Sequence, residues 1–311
     1  MRAVACTALL AACTAASAQT TAKPPRRIID VHVHAESQDP RFGVTFTNPL
    51  TGEEWPAAPD EATLIAESFA LMERLNVVRA VVSGGDHHEA VLRWKQRAPE
   101  KVLVGYALVD PAALDAAFLR REHAAGRLQV IGEVGAQYAG VTPNDPRMEP
   151  IYALAEELDV PVALHMHPGP PGAAYPPYGI IRMRAANGRP LLLEEPLLRH
   201  PKLRLYIMHA AWPFLDETIA LMYAHPQVYV DIGVIDWTQP EAEFHRYLRG
   251  LVEAGYGKRV MFGSDQMVWP RAIERAVRNI EGASYLTESQ KDDIFYNNAA
   301  RFLRLEPAPK P

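Results

Sequence analysis

Ile28-Ile29-Asp30-Val31-His32-Val33-His34 is an aliphatic run interrupted at every second position by a group that can bind a metal ion or a proton. Alternate residues of a strand point the same way, so both imidazoles can face one pocket and chelate one ion. An HxH alone decides little, since two strand histidines also arise by chance. Seven further Val, Ile and Leu-rich runs follow: Val77 to Ser83, Val102 to Leu108, Leu128 to Val134, Pro161 to His165, Leu203 to His209, Val228 to Asp231, and Arg259 to Phe262. Between them lie segments of helical period. Asp60 to Leu75 opens on a capping acid and repeats apolar residues at Ile65, Phe69, Met72 and Leu75, one stripe of a 3.6-residue helix. Asp145 to Leu158 reads the same way, and Thr287 to Leu303 opens with Thr-Glu-Ser-Gln, a capping-box pattern. Strand and helix alternate as in βα units around a parallel sheet. The fold class expected is α/β, a single-domain (β/α)8 TIM barrel, although a doubly wound open sheet would alternate too.

The placement of the ligand-type residues favours the barrel. His32 and His34 end the first run, and Glu133, His165, His209 and Asp265 lie at or just beyond the ends of the fourth, fifth, sixth and eighth. No strand start contributes a similar set. The C-terminal ends of barrel strands converge on one face, so six side chains from distant stretches would meet there.

Composition limits what the site can contain. The chain has 311 residues, 48% apolar and 22% charged, enough for one large core. Its two cysteines, Cys6 and Cys13, fall in an N-terminal stretch where Arg2 precedes an Ala, Leu and Cys run ending in Ala16-Ser17-Ala18. That order reads as a secretory signal peptide over residues 1–18, cut before Gln19, with a linker at 19–26, the barrel domain at 27–305 and a tail at 306–311. The protein is therefore expected to be exported, periplasmic or secreted. Leu10-Ala11-Ala12-Cys13 resembles a lipobox, which makes a lipoprotein anchored through Cys13 the alternative. The body then holds no thiol, and any metal must be bound by His, Asp or Glu. Lys and Arg total 32 against 37 Asp and Glu, and removing a leader with Arg2 but no acid takes the charge from −5 to −6. That balance argues against a nucleic-acid partner, and no later stretch reaches the roughly 18 apolar residues of a membrane span. A small-molecule substrate is expected, and a homo-oligomer is left open.

The ordered set of motifs resembles the amidohydrolase superfamily, most closely the branch labelled amidohydrolase 2, over roughly Arg27 to Leu305. The likeness rests on Asp-Val-His-Val-His, Leu-His after the fifth strand, Met-His-Ala after the sixth, Phe-Gly-Ser-Asp after the eighth, and the closing Tyr-Asn-Asn-Ala-Ala-Arg-Phe-Leu. None of the seven lysines falls where a carbamylated bridge would sit. Ile131-Gly132-Glu133-Val134-Gly135 instead looks like the Gly-Glu-x-Gly of TatD-type metal hydrolases, whose Glu is a ligand. The resemblance implies two divalent ions, zinc foremost and manganese, iron or cobalt also suited. His32, His34 and Asp265 would hold one, His165 and His209 the other, and Glu133 both. Glu133 hydrogen-bonding a ligand histidine, with one ion bound, is the alternative. In such a site the pKa of metal-activated water falls to about 7. Asp265 would then relay the proton to the leaving group, with His209 also at the reacting centre.

Other residues carry weaker signals. His167 lies two residues past His165 and can touch substrate or merely turn the loop before Pro168. Arg182 and Arg184, in a long loop from Pro168 to Pro190, can clamp a carboxylate, though exposure is the commoner fate of such arginines. Trp55, Trp212, Trp237 and Trp269 follow strand ends and would line the mouth, Trp212 and Trp269 being substrate-binding candidates. Three are Trp-Pro pairs, so loop packing also accounts for them. Asp231 fits either a partner for a ligand histidine or a loop cap. His87 and His88 read as solvated loop residues, and His200 and His225 as helix-end residues of the opposite face. The function expected is metal-dependent hydrolysis of an amide, ester or lactone, with a single-metal nonoxidative decarboxylase of an aromatic or related acid as the alternative. A TatD-like nuclease lacks the basic surface it would need, and a non-catalytic barrel would usually have lost a ligand.

Overall fold

In the computed structural model, residues 25–84, 88–176 and 178–305 are described. The leader with Cys6 and Cys13, most of the linker, His87 and the tail at 306–311 lie outside them. Eight parallel strands follow one another around the sheet in sequence order: β1 Ile28–His34, β2 Val77–Ser83, β3 Val102–Leu108, β4 Val130–Val134, β5 Val162–His165, β6 Leu205–Met208, β7 Val228–Asp231 and β8 Val260–Met261. The first and last strands meet through the Val31 N–H, which donates to the Phe262 carbonyl at 3.0 Å, and the Asp265 N–H, which donates to the His32 carbonyl at 2.8 Å. These bonds bring the ends of the sheet together in a nearly closed TIM barrel, so the open-sheet alternative falls away.

Two apolar clusters follow from this closure. The smaller includes Ile29, Val31, Val81, Val130, Ala163, Tyr206, Met208 and Met261, contributed by six of the strands, which can meet only across the interior. Tyr206 reaches from β6 to donate to the Val31 carbonyl of β1 at 3.0 Å. Gly132 is required here, because a Cβ at that position would lie 2.3 Å from Ala163 Cβ. The larger cluster fills the layer between strands and helices, with Trp94, Phe244, Phe262 and Phe295 fully buried.

The helices start where their caps predict. Asp60 caps Glu61–Arg74 by accepting from the Thr63 N–H, and Thr287 and Gln290 form a reciprocal capping box. The buried stripe of the first helix is Leu64, Ser68, Phe69 and Met72, and Ile65 and Leu75 are only partly covered. The C-terminal segment is the expected helical run, with one widened turn inside it. It runs as Glu288–Asp292, a widened π turn over Asp293–Asn297, and Asn298–Phe302, and the Ile294 carbonyl in that turn accepts from the Phe262 N–H. A small antiparallel hairpin, Thr45–Thr47 with Glu54–Pro56, rises from the loop after β1. Among the described residues no helix is long and apolar enough to cross a membrane.

Candidate active site

All six ligand-type residues meet at the C-terminal end of the barrel. His32 Nε2 and His34 Nε2 lie 3.2 Å apart. Asp265 Oδ1 is 3.0 Å from His34 Nε2 and 3.5 Å from His32 Nε2. Glu133 stands between two pairs of imidazoles. Its Oε2 is 3.2 Å from His34 Nε2 and 3.7 Å from His32 Nε2, and its Oε1 is 3.9 Å from both His165 Nε2 and His209 Nε2. Three overlapping groups with metal-binding geometry result: His32 with His34 and Asp265, Glu133 with His165 and His209, and His32 with His209 and Asp231.

The chain turns sharply to place these groups. His209, Ala210 and Ala211 have φ of 60°, 50° and 54°, and Asp265 and Met267 have 47° and 48°. Such left-handed backbone costs non-glycine residues of order 1–3 kcal/mol each, and it persists where surrounding contacts hold it. Gln266 supplies one such contact. Its Oε1 accepts from the His34 N–H at 3.0 Å, and its Nε2 donates to the His34 carbonyl at 2.7 Å.

A second layer fixes the tautomers. His209 Nδ1 lies 3.0 Å from the Gly233 carbonyl, which only accepts, so Nδ1 carries the proton and Nε2 keeps its lone pair. Asp231 performs both roles considered for it. Its Oδ2 is 3.3 Å from His32 Nδ1, and its Oδ1 accepts from the His209 and Gly233 N–H groups at 3.1 and 2.9 Å. Asp30 Oδ1 accepts from the Ser264 and His32 N–H groups, and burial pushes its pKa up to about 7.

The donor set fits a divalent cation. Asp265 Oδ1 and His209 Nε2 are buried without a hydrogen-bond partner among the described residues. Four imidazoles and two carboxylates with no thiol suit zinc, manganese or iron. Burial opposes charge on His32 and His34, but Asp265, with Asp231 beside His32 and Glu133 and Glu36 beside His34, holds both well above the usual imidazole value. Burial likewise opposes ionised Glu133 and Asp265, and the histidines outweigh it, holding both below the ordinary carboxylate range. His165, where burial dominates, is pushed down to about 3. In the metal-free protein, protons on His32 and His34 therefore stand in for cationic charge.

The weaker candidates divide. His167 is 8% exposed and stacks on Trp212 at 5.6 Å, and its ring lies 5.2 Å from that of His209. Its Nδ1 accepts from the Gly169 N–H at 3.0 Å, and Nε2 has no hydrogen-bond partner among the described residues. Trp212 is half-buried beside it, with Nε1 donating to Glu243. The mouth-lining expectation for the other tryptophans is corrected: Trp55, Trp237 and Trp269 are buried in a cluster of tilted rings, with Trp55 and Trp269 at 4.8 and 5.8 Å from Trp237. Arg182 and Arg184 are exposed, and the Arg184 guanidinium donates to the Ile181 and Met183 carbonyls of its own loop. His88 is not a solvated loop residue. It opens the helix His88–Arg97 and packs against Tyr106 and Phe118. His200 sits at a helix end between Glu149 and Glu156. Sequence reasoning missed Tyr138, whose hydroxyl lies 2.9 Å from His165 Nε2. Its one signal was a polar aromatic three residues beyond Gly135. Burial, with Glu133 and Asp265 nearby, holds its phenol well above the usual pKa.

These features define a metal-dependent barrel enzyme. The amidohydrolase family profile matches residues 29–305, and the chain belongs to that family. No curated protein matches it. Among solved structures it is similar to a probable 2-pyrone-4,6-dicarboxylic acid hydrolase from Acinetobacter baumannii, solved with citric acid bound, at 14% identity and a TM-score of 0.62, covering 90% of this chain and 100% of that one. It is also similar to a 5-carboxyvanillate decarboxylase from Sphingomonas paucimobilis, at 19% identity and 0.59, covering 90% and 99%. A third, the manganese-bound 5-carboxyvanillate decarboxylase of Novosphingobium aromaticivorans, matches at 13% identity and 0.61, covering 90% and 96%. At these identities the likeness shows the fold.

Proposed function

We propose that the protein hydrolyses an amide, ester or lactone with two divalent ions, zinc in the first instance. One observation carries this reading: the two oxygens of Glu133 face different histidine pairs. His32, His34 and Asp265 would hold one ion, His165 and His209 the other, with Glu133 shared. Bound ions of this kind supply hydroxide near neutral pH and draw electron density from a carbonyl. Asp265, held ionised, would accept a proton at Oδ2, the edge turned from His34, and return it to the leaving nitrogen or oxygen. His209, its Nδ1 fixed by Gly233, presents Nε2 at the same centre. His167 and Trp212 flank the substrate side. A lactone is supported by the likeness to a pyrone hydrolase, a pyrone being a cyclic ester.

The second reading is a single-metal decarboxylase. It is favoured by the compactness of the His32, His34 and Asp265 group, which suffices for one ion, and by the two decarboxylase neighbours. Elemental analysis of the purified protein, with a panel of lactones, amides and aromatic acids, separates the two. Two ions per chain with hydrolysis is the expected result, and one ion with CO2 release overturns it. The N-terminal segment further supports export to the periplasm or beyond, which N-terminal sequencing of the mature protein tests: a chain that begins at Met1 refutes it.

A further inference from the structure

Among the described residues, three of the four ligand-type imidazoles present Nε2 only to the other groups of the cluster. His165 does not. Its Nε2 is engaged by the Tyr138 hydroxyl at 2.9 Å, and the two rings lie 4.5 Å apart. Tyr138 belongs to the turn Ala136–Ala139 directly after β4, the strand that carries Glu133. Gly135 makes the arrangement fit, because a Cβ there would come within 3.0 Å of the Tyr138 ring. Whichever partner donates, the phenol oxygen occupies the position in front of Nε2 at which a cation would join the imidazole. Among the described residues no such group stands over the other half of the site, where the Nε2 atoms of His32 and His34 face each other, Glu133 and Asp265.

We infer that Tyr138 competes with the second cation for His165, so that the two halves of the site fill unequally. This rests on the two-ion reading. The half formed by His32, His34 and Asp265 loads first, and the second ion must displace the hydroxyl. A displaced Tyr138 keeps its O–H beside Glu133 and His165, where it becomes a hydrogen-bond donor for an oxygen of the substrate. Tyr138 thus couples occupancy of the second half to substrate recognition.

The test is a zinc titration of the metal-free full-length protein against a chromophoric chelator, for wild type and Tyr138→Phe, which keeps the ring and removes the hydroxyl. Wild type is expected to bind in two separated steps. The variant should leave the first unchanged and tighten the second by about two- to tenfold, the worth of one hydrogen bond. An unchanged second step overturns the inference, and a weakened one overturns it by making Tyr138 a ligand. A stoichiometry of one ion in both proteins refutes the two-ion reading itself, whereas two ions taken up in a single step by the wild type overturns the competition alone. As an independent readout, the 15N resonance of His165 Nε2 in the metal-free protein should move on Tyr138→Phe or on Gly135→Ala, which crowds the ring. If neither moves it, the hydrogen bond is not formed and the inference falls.

Discussion

Asp231→Asn should weaken metal binding without unfolding the barrel, and the reason lies in which oxygen can be replaced. Asp231 is fully buried, and its Oδ1 accepts from two backbone N–H groups, those of His209 and Gly233. An amide NH2 in that position would face two donors, so the carboxamide oxygen must take it. The NH2 then falls at the position of Oδ2, 3.3 Å from His32 Nδ1. It cannot accept from an Nδ1–H, and His32 relieves the conflict by moving its proton to Nε2. That nitrogen lies 3.2 Å from His34 Nε2 and 3.5 Å from Asp265 Oδ1, so the lone pair intended for the cation is lost. Removing such a supporting partner typically weakens metal affinity 10- to 100-fold, about 1.4 to 2.7 kcal/mol. Zinc titration of the metal-free proteins gives the affinity, and far-UV circular dichroism checks the fold. A variant that folds and binds zinc within twofold of wild type would refute the tautomer argument.

Glu133→Gln keeps one acceptor oxygen and loses the other together with the negative charge, so the ion content should fall from two to one, and elemental analysis returning two would show that Glu133 does not bridge. His32 and His34 are held protonated above their usual range, and an ion must displace those protons, so metal affinity should rise with pH through neutrality by about tenfold per unit for each proton released. Calorimetry in two buffers of different ionisation heat measures the release, and a pH-independent affinity would contradict it. Asp236 is fully buried, neither carboxyl oxygen has a hydrogen-bond partner among the described residues, and burial, with Asp30, Asp231 and Asp265 nearby, raises its pKa well above the ordinary value. A raised folded pKa means that stability is complete below the unfolded value near 3.9 and is lost as pH rises through the folded one. Asp236→Asn should therefore gain in Tm relative to wild type between pH 5 and 9, and parallel curves would rule this out. Gly132→Ala puts a Cβ 2.3 Å from that of Ala163. Overpacking of this kind costs about 1–3 kcal/mol, and an unchanged Tm would show that the barrel interior yields there.

The ligand-type residues were legible because chemistry and period coincide. Aliphatic runs with a His, Glu or Asp at or just beyond the end do not recur in order by chance, and β1 carries two such residues in alternation. What could not be read depends on conformation. The hairpin at Thr45 and Glu54 has three residues per strand, too few for alternation to register. The widened turn at Asp293–Asn297 exists because Ile294 must offer its carbonyl to Phe262, a tertiary demand with no local signature. Trp55, Trp237 and Trp269 follow strand ends, and such positions serve a mouth or a packed cluster equally well until the loops are placed. Tyr138 escaped for a related reason: its meaning comes from the ring it touches, on the next strand.

The count of ions bears directly on the reaction. With one ion on His32, His34 and Asp265, the groups on the other side, Glu133 Oε1, His165 and His209, stay free to exchange protons. Decarboxylation needs such groups, because the carbon that loses CO2 must be protonated. With two ions the same three become ligands, proton transfer falls to Asp265, and the site gains the electrophilic pull that hydrolysis needs. Hydrolysis and decarboxylation therefore need no different fold or first half-site, only different occupancy around His165.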